Sequence, residues 1–422
     1  MNRELVTKSE LIHQCTEEEY RRFIRVRTFG MDKVQKRLIR EVTWGILLSQ
    51  SLRLTRIARW VDRTTKLLLS VIKRLSRRLR GDWNEHELRR GHLHAVGKFI
   101  GEGTSIVVDT SDLSKAHGKA FEHLDWVYDG STGETVRGYN MLGVTAVLGK
   151  GRQMPLYLAP YSSTCDSYES VNTEVLRAIE TVTEATNQKG LWIWDRGFDN
   201  QWLFNELAQR RLRFLICGYH HRSVVWHGKT MPIEEVVTQL PLPLFEHIGR
   251  RGSKKKTYDI HFAATPIMLP PYWDAKRRKH VELSLWVLVV KGYDPSGKRT
   301  FFFTNVPLET DDEQRKMVRR YADRWAIEEE FEFLKQRFAL EDVRVRSFQA
   351  IERLMLLAML AFAFLVHLVE RFSVRHKRLI PVLCSTQSEL DPHANFLYYR
   401  IQEALQLACS FIVALNLFKT NG

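Results

Sequence analysis

The chain has 422 residues, of which 44% are hydrophobic and 27% charged, and its 64 Lys and Arg against 49 Asp and Glu give a net charge of +15. This is the composition of a soluble globular protein with length for two to four domains, and its basic balance favours a polyanionic partner. Five widely spaced cysteines without a CxxC pair argue against structural zinc and for a reducing cytosol.

The first quarter of the chain is helical and carries most of the basic excess. Residues 1–100 hold 23 Lys or Arg and 11 Asp or Glu. Apolar residues recur at helical spacing from Ile46 to Val61, and a second helix, Leu67 to Leu79, follows a polar turn at Asp62–Thr65. This pattern resembles a helix-turn-helix module that binds DNA. The basic residues that we expect to contact DNA are Arg53, Arg56, Arg59, Arg74 and Arg77. The alternative is a small basic helical bundle whose charges are merely solvated.

Residues 101–219 alternate between strands and helices. SIVVD (105–109), YNMLGVTAVLG (139–149) and QMPLYLAPY (153–161) are strand-like, and a helix follows from Ser170 to Gln188. LWIWD (191–195), a helix from Trp202 to Arg210, and RFLICGY (213–219) complete the series. Three strands, a helix, a strand, a helix and a strand is the order of the ribonuclease H-like fold. We therefore expect an α/β core with a mixed sheet, of the retroviral integrase-like kind.

The second half of the chain returns to the core after a β-rich stretch. Residues 220–309 predict a β-rich insertion with turns at GRRGSKKK (249–256) and DPSGK (294–298). Residues 310–345 predict the second part of the core, opened by a capping box at Thr310–Glu313. Residues 346–422 predict a helical region. Its apolar run, Leu354 to Val366, has thirteen residues, which is short for a membrane span and typical of a buried helix, so no membrane partner is expected.

Three carboxylates are the candidate catalytic and metal-binding residues. Asp109 and Asp195 each end an apolar strand, and strand carboxyl ends are where sites form in α/β sheets. Two acids brought together there repel unless a cation neutralises them, and oxygen ligands suit Mg²⁺ or Mn²⁺. Glu328 supplies the third carboxylate. Three such groups can hold two ions for phosphodiester chemistry. A strand-ending aspartate taken alone is more often a turn former or a helix cap, and we expect that structural role for Asp112 and Asp199.

The stretch YADRWAIEEEFEFLK (321–335) predicts one helix with two stripes. Tyr321, Arg324, Glu328 and Lys335 fall within about 60° of one another, beside an apolar stripe of Ile327, Phe331, Leu334 and Phe338. Arg324 and Lys335 can bind phosphates next to the reacting one, and Tyr321 can hydrogen-bond a phosphate or stack near a base. The alternative is a solvated ladder of salt bridges, because Arg324 and Glu328 already have i,i+4 spacing.

These motifs together resemble the DDE transposases of the insertion-sequence type, in the IS-four family. The spacing Y-x2-R-x3-E-x6-K from Tyr321 to Lys335 looks like that family's signature. DTSDLS (109–114) and DRGFD (195–199) look like its first and second aspartate motifs. The resemblance covers about residues 100–370. It implies a ribonuclease H-like core with a β-rich insertion between the second aspartate and the glutamate, and Asp109, Asp195 and Glu328 as the metal-binding catalytic triad.

The resemblance also implies partners and a location. We expect cut-and-paste transposition by a homodimer that binds the inverted repeats at the element's ends and then target DNA, in the cytoplasm of a bacterium. Lys254 and Lys255 of the GRRGSKKK loop are further candidates for DNA contact. Some relatives stack a tryptophan of the last insertion strand on a flipped base. At the nearest position this chain has Phe301, and Phe301 or Trp286 is the candidate replacement.

Two other functions fit the same sequence. One is a non-catalytic DNA-binding regulator derived from such a transposase, against which the intact triad counts. The other is a ribonuclease H-like nuclease that hydrolyses DNA but never joins it. Strand-transfer activity separates the transposase from both.

Overall fold

A computed structural model of the chain describes residues 3–61, 67–115, 118, 120–148, 152–219, 221–249, 257–274, 277–294, 296–371 and 397–420. The helices are α1 (Arg3–Arg27), α2 (Lys33–Ser49), α3 (Leu54–Val61), α4 (Leu68–Arg80), α5 (Glu85–Gly97), α6 (Val171–Thr186), α7 (Gln201–Gln209), α8 (Ile233–Gln239), α9 (Asp311–Tyr321), α10 (Trp325–Arg337), α11 (Phe348–Arg371) and α12 (Leu397–Thr420). The strands are β1 (Ser105–Ser114), β2 (Asp125–Asp129), β3 (Glu134–Leu148), β4 (Arg152–Tyr161), β5 (Leu191–Trp194), β6 (Arg213–Cys217), β7 (Ser223–Trp226), β8 (Lys229–Pro232), β9 (Leu244–Gly249), β10 (Thr257–Asp274), β11 (Lys279–Lys291) and β12 (Arg299–Thr304).

The strands form one mixed sheet of twelve. Its order is β2-β3-β1-β5-β6-β12-β11-β10-β7-β8, with β4 paired to β3 and β9 paired to β10. The β1–β5 and β5–β6 pairs are parallel, and β1–β3 and β3–β4 are antiparallel. Helices α6 and α7 provide the crossovers that parallel neighbours require. The α/β class with a mixed sheet, predicted from the order of elements, is therefore confirmed.

The β-rich stretch continues the core sheet rather than forming a sheet of its own. Strand β12 pairs with β6, so that Phe303 lies opposite Ile216. Asn205 of α7 donates to Asp274 at the end of β10 over 3.1 Å, which ties the long hairpin of β10 and β11 back to the core. The GRRGSKKK turn that was predicted here, with Lys254 and Lys255, lies outside the described residues except for Gly249, the last residue of β9.

One predicted helix is wrong in the N-terminal region. The apolar spacing predicted a continuous helix from Ile46 to Val61, but α2 ends at Ser49 and α3 begins at Leu54. Gln50 caps α2 in the left-handed conformation with φ 50°, which a continuing helix does not allow. Leu52 is fully buried in the break, so the apolar spacing reports burial and not helical continuity. The polar turn Asp62–Thr65 falls outside the described residues.

The long apolar helix α11 is the centre of the helical layer. It is long and apolar enough to cross a membrane, but 89% of its most apolar window is buried inside the protein. The rings of Tyr20 and Phe23 from α1 meet Phe364 edge-on, at 5.1 and 5.2 Å. Arg353, only 2% exposed, donates to Glu85 and to the carbonyl of Leu79. The N-terminal helices are therefore packed against α11, and α11 behaves as a core helix.

Candidate functional site

Asp109 and Asp195 lie next to each other because β1 and β5 are parallel neighbours. Val108 is paired with Trp194, so the next residue of each chain segment is one of the two aspartates. Strand β5 ends at Trp194, one residue before the predicted end at Asp195, but β1 continues to Ser114 and the prediction that it ends at Asp109 is wrong. The antiparallel partner β3 is fifteen residues long and extends the pairing of β1 past the point where β5 stops.

The carboxyl group of Asp109 is in an unfavourable environment for a negative charge. Burial, with the nearby charges of Asp195 and Glu328, raises the pKa of Asp109 to about 6, although the backbone N–H of Thr110 and the charge of Arg324 act in the opposite direction. The Thr110 N–H donates to Oδ1 of Asp109 over 2.8 Å. Asp195 and Glu328 therefore add their negative charges to that of a mostly buried Asp109, and a cation would relieve the repulsion.

Close packing of α10 on the sheet brings Glu328 to the aspartates. Gly143 of β3 is paired with Asp109, and a Cβ at Gly143 would lie 2.8 Å from the ring of Phe331. The absence of a side chain at that position lets α10 lie directly against the sheet. Ile327 and Phe331 of the predicted apolar stripe are buried between α10 and the sheet. Glu328 follows Ile327 directly, at the side of the helix that is next to the aspartates.

The stretch from Tyr321 to Lys335 is not one regular helix. Helix α9 ends at Tyr321, a 3₁₀ turn covers Ala322–Arg324, and α10 begins at Trp325. In this turn Asp323 accepts a buried hydrogen bond from Ser105, the first residue of β1, over 2.7 Å. The predicted capping box at Thr310–Glu313 is confirmed at the start of α9. This hydrogen bond ties the 3₁₀ turn to the sheet, and Arg324 and Glu328 stay one turn apart.

Arg324 holds two of the three acids. Its Nη1 donates to Oε1 of Glu328 and lies 3.9 Å from Oδ2 of Asp109. Burial by itself lowers the pKa of Arg324, but Tyr321, Glu328 and Asp195 together raise it above its ordinary value. The guanidinium group is therefore a fixed positive charge in the middle of the carboxylates.

Lys335 lies further along α10 and is also paired. Its Nζ donates to Oδ1 of Asp112 over 3.0 Å and lies 3.8 Å from Oε1 of Glu341. Asp112 is 6% exposed, and its second oxygen has no hydrogen-bond partner among the described residues. Asp112 lies within β1, so it has a structural role as the ion-pair partner of Lys335 and not as the predicted turn former or helix cap. Asp199, for which the same role was predicted, forms an ion pair with Arg222.

Tyr321 packs into the protein. Its ring centroid lies 4.2 Å from that of Phe302, and its hydroxyl is hydrogen-bonded to Cys217 at the end of β6. Burial raises the pKa of Tyr321 well above its ordinary value. These contacts favour a role in fixing the turn that carries Arg324 over direct stacking on a base.

The predicted DNA-binding arginines of the N-terminal helices fall into two groups. Arg53 donates to Asp342 over 2.7 Å, and Arg74 donates to Glu41 over 2.6 Å. Arg56, Arg59 and Arg77 are exposed. The second group is therefore the better placed to meet a polyanion.

The three carboxylates are chemically suited to a hard divalent cation, although in this structure they are not close enough together to hold one. In the described part of the chain, no group of three or more His, Cys, Asp or Glu side chains is close enough to hold a metal ion. Asp109, Asp195 and Glu328 nevertheless offer only oxygen atoms, which Mg²⁺ and Mn²⁺ prefer. Burial raises the pKa of Asp109 even with Arg324 3.9 Å away, so a cation bound closer to this carboxylate would favour its charged form. Glu328, by contrast, is turned to Arg324, and a cation would have to compete with that ion pair.

The three consecutive glutamates of α10 have different surroundings. The side chain of Glu328 is 43% exposed, whereas Glu330 is 1% exposed and accepts a hydrogen bond from Thr145 of β3. Glu329 accepts from Gln153. Burial raises the pKa of Glu330 to about 8, so that this side chain is protonated in the folded protein at neutral pH. Of the three, Glu328 is the one that faces the aspartates.

We expect Glu330→Gln to remove a pH dependence of stability. The pKa of Glu330 is about 8 in the folded chain, against an ordinary value of 4.5 that we take for the unfolded chain. The protonated side chain therefore stabilises the fold fully below pH 4.5. That contribution is lost as pH rises through 8, on the order of a few kcal/mol at most. The unfolding free energy of wild type should fall relative to Glu330→Gln between pH 5 and pH 8.5, measured by urea unfolding. A difference that stays constant with pH would contradict a buried neutral acid.

The candidate base-stacking residues are not equally available. Phe301 is 1% exposed, and its ring occupies the space where a Cβ of Gly218 would stand, 2.0 Å from the nearest ring atom. Phe301 therefore cannot stack on a base without leaving the core, and its proposed replacement of the tryptophan is wrong. Trp286 is partly buried and packs against the core.

One further residue near the site was missed from the sequence. Lys115 follows β1, and its Nζ donates to the carbonyl of Glu341 and, over 3.2 Å, to that of Val343. Burial lowers the pKa of Lys115 to about 8. The contact joins segments 226 residues apart, so no local pattern could indicate it. Lys115 fixes the chain that leaves α10.

A family of known proteins matches this chain. The family described as "Transposase DDE domain" matches residues 102–364, more than half of the chain. Among solved structures, the fold resembles the cryo-EM structure of the piggyBac transposase synaptic complex with hairpin DNA. The identity is 10%, the TM-score is 0.42, and the alignment covers 97% of this chain and 80% of that chain. No curated protein matches the sequence.

Proposed function

The chain belongs to the DDE transposase family, and from that premise we propose that it moves an insertion sequence by cut-and-paste transposition. The observation that carries the proposal is the meeting of Asp109 and Asp195 through the parallel pairing of β1 and β5, within the region that the family covers. Glu328 approaches the same point from α10. The spacing of Tyr321, Arg324, Glu328 and Lys335 supports a more specific assignment to the IS-four family.

We propose that the catalytic core of the chain has a ribonuclease H-like fold. The sheet order β4-β3-β1-β5-β6, antiparallel at first and then parallel, supports it, as do the crossovers α6 and α7. In that fold the aspartates occupy neighbouring strands and the glutamate a following helix. Strands β7 to β12 are then the insertion between Asp195 and Glu328.

In this proposal the three carboxylates bind two Mg²⁺ ions, for which Mn²⁺ can substitute. Bound divalent ions would supply the positive charge that activates an attacking oxygen and stabilises a leaving one. Arg324 and Lys335 bind the phosphates beside the scissile one, Arg324 through its planar fork. In the protein without DNA, Arg324 is paired with Glu328 and Lys335 with Asp112. In this proposal the phosphates of bound DNA replace the two carboxylates as their partners. Tyr321 orients the turn that carries Arg324.

The proposed partners are duplex DNA and a second copy of the chain. Arg56, Arg59 and Arg77, which are exposed on α3 and α4, are assigned to the inverted repeat, together with Lys254 and Lys255 of the GRRGSKKK loop. Dimeric action on paired ends, in the bacterial cytoplasm, follows from the family resemblance.

Incubation with the element's own end tests the proposal. The full chain with Mg²⁺ and a labelled duplex containing the terminal inverted repeat should nick at the repeat's boundary and leave a 3′-hydroxyl. That end should then appear covalently joined to an added plasmid. Cleavage without any joined product would favour the hydrolytic nuclease, and specific binding without cleavage would favour the regulator.

A further inference from the structure

A groove separates the N-terminal helices from the segment that follows α10. It has a volume of about 430 Å³ and lies between α3 and α4 on one side and residues 344–350 on the other. Its charged lining consists of Arg53, Arg80, Arg344, Arg346 and Glu122. Four arginines against one glutamate make it a strongly basic cavity, and it is separate from the three carboxylates described above.

The positive charge of this groove is largely uncompensated. Arg80, Arg344 and Arg346 are exposed, and none of them forms an ion pair with a carboxylate in the described part of the chain. Arg53 is balanced by Asp342, 2.7 Å away. The carboxylate of Glu122 accepts the backbone N–H of Phe348, the first residue of α11, over 2.9 Å. Glu122 is thus engaged with the positive end of a 24-residue helix, and its single negative charge leaves the groove with a net positive charge.

We propose that this groove binds the phosphodiester backbone of duplex DNA, an inference that rests on the proposed function. Guanidinium groups bind phosphate through paired hydrogen bonds, and three of them are available here. The described lining contains no aromatic side chain, whereas sites for single strands use aromatic rings on which bases stack. Contacts of this kind fix the position of a duplex without reading its sequence.

The groove is mechanically linked to the carboxylates. Arg344 and Arg346 follow α10 after the 3₁₀ turn Leu340–Asp342. Lys115 binds two carbonyls of that connection, and Lys335 approaches Glu341 within it. Because the connection is fixed at both points, a duplex held at Arg344 and Arg346 has a defined position relative to Glu328. The groove therefore orients DNA for the site and is distinct from the surface formed by Arg56, Arg59 and Arg77.

The salt dependence of binding measures this site directly. The affinity of the full chain for a fluorescein-labelled random-sequence duplex is measured by anisotropy over a range of KCl concentrations. Each phosphate contact contributes about 0.9 to the slope of log K against log salt, so Arg344→Gln/Arg346→Gln should reduce the slope by about 1.8. The matched control is Lys189→Gln/Arg211→Gln, which removes the same charge from exposed positions just before β5 and β6 that do not line the groove. Its slope should equal that of wild type.

Three comparisons decide the outcome. Arg344→Lys/Arg346→Lys keeps the charge and should restore the wild-type slope, and unchanged melting temperatures should accompany all variants. Equal slopes for the groove variant and the control would overturn the groove while leaving the proposed function intact. A larger loss on a single-stranded oligonucleotide than on the duplex would overturn the assignment to duplex DNA. Wild type that binds no duplex at all would overturn both this inference and the proposed function.

Discussion

Asp109→Ala, Asp195→Ala and Glu328→Ala are each expected to abolish cleavage of the element's end while leaving DNA binding at or above the wild-type level. Each change removes one of the three carboxylates that converge beside the parallel pair of β1 and β5. The loss should be on the order of a thousandfold or more, because the charge that develops on the reacting oxygens would no longer be stabilised. Binding should survive because a carboxylate repels the DNA backbone. Cleavage is followed on gels and binding by anisotropy.

The control for these variants lies on the same helix. Glu332 is an exposed glutamate one turn beyond Glu328, and its side chain accepts a hydrogen bond from Gln336. Glu332→Gln should therefore keep cleavage close to the wild-type rate. Asp109→Cys offers a sharper test, because a thiolate is a softer ligand that suits Mn²⁺ better than Mg²⁺. Partial recovery in Mn²⁺ alone would tie Asp109 to the metal. Substantial cleavage by Asp109→Ala in Mg²⁺ would remove this residue from the triad.

The pairing of the aspartates was predictable because it depends on local signals. SIVVD and LWIWD are short apolar runs that end in an acid, and parallel strands bring such ends together. The full extent of β1 was not predictable in this way. Its last residues, up to Ser114, pair with β3, and that antiparallel contact depends on residues 138 to 143, which no pattern around Asp109 reveals.

The helix that carries Glu328 shows the same limit. Its apolar stripe and the capping box of the preceding helix, α9, follow from spacing alone, and both are present. The 3₁₀ turn at Ala322–Arg324 does not follow from spacing, because the hydrogen bond from Ser105 to Asp323 spans 218 residues. The ion pair of Lys335 with Asp112 is equally distant in sequence, so the partners of the predicted phosphate-binding residues became visible only in the fold.

The sequence also suggests a boundary near residue 100 that the packing crosses. A change in composition marks the end of the basic helices, yet Arg353 of α11 donates to the carbonyl of Leu79 and to Glu85. Phe364 meets the rings of Tyr20 and Phe23. Contacts between the two ends of a chain leave no trace in local periodicity. Binding experiments on the N-terminal helices are therefore better made with the full chain than with a fragment that would expose this apolar surface.

Arg324→Lys and Lys335→Ala are expected to slow strand joining by about 30- to 1000-fold, with a much smaller effect on DNA binding. Arg324 lies among the carboxylates, 3.9 Å from Asp109, so its fork is positioned where a phosphate beside the reacting bond would lie. Lysine keeps the charge but loses the planar pair of donors. Lys335 lies about two helical turns beyond Glu328 and carries the next positive charge along α10.

A ladder of salt bridges predicts the opposite result for the same variants. Arg324 and Glu328 are one turn apart and already paired, and a purely structural pair contributes about 1 kcal/mol or less to stability with no effect on rate. Arg337→Lys is the matched control, because Arg337 ends α10 and its guanidinium group lies over the ring of Tyr399, away from the carboxylates. Single-turnover joining rates are compared with melting temperatures for all three variants. If Arg324→Lys joins DNA as fast as Arg337→Lys, the guanidinium group only neutralises Glu328 in the free protein, and the phosphate contacts must come from the groove lined by Arg344 and Arg346.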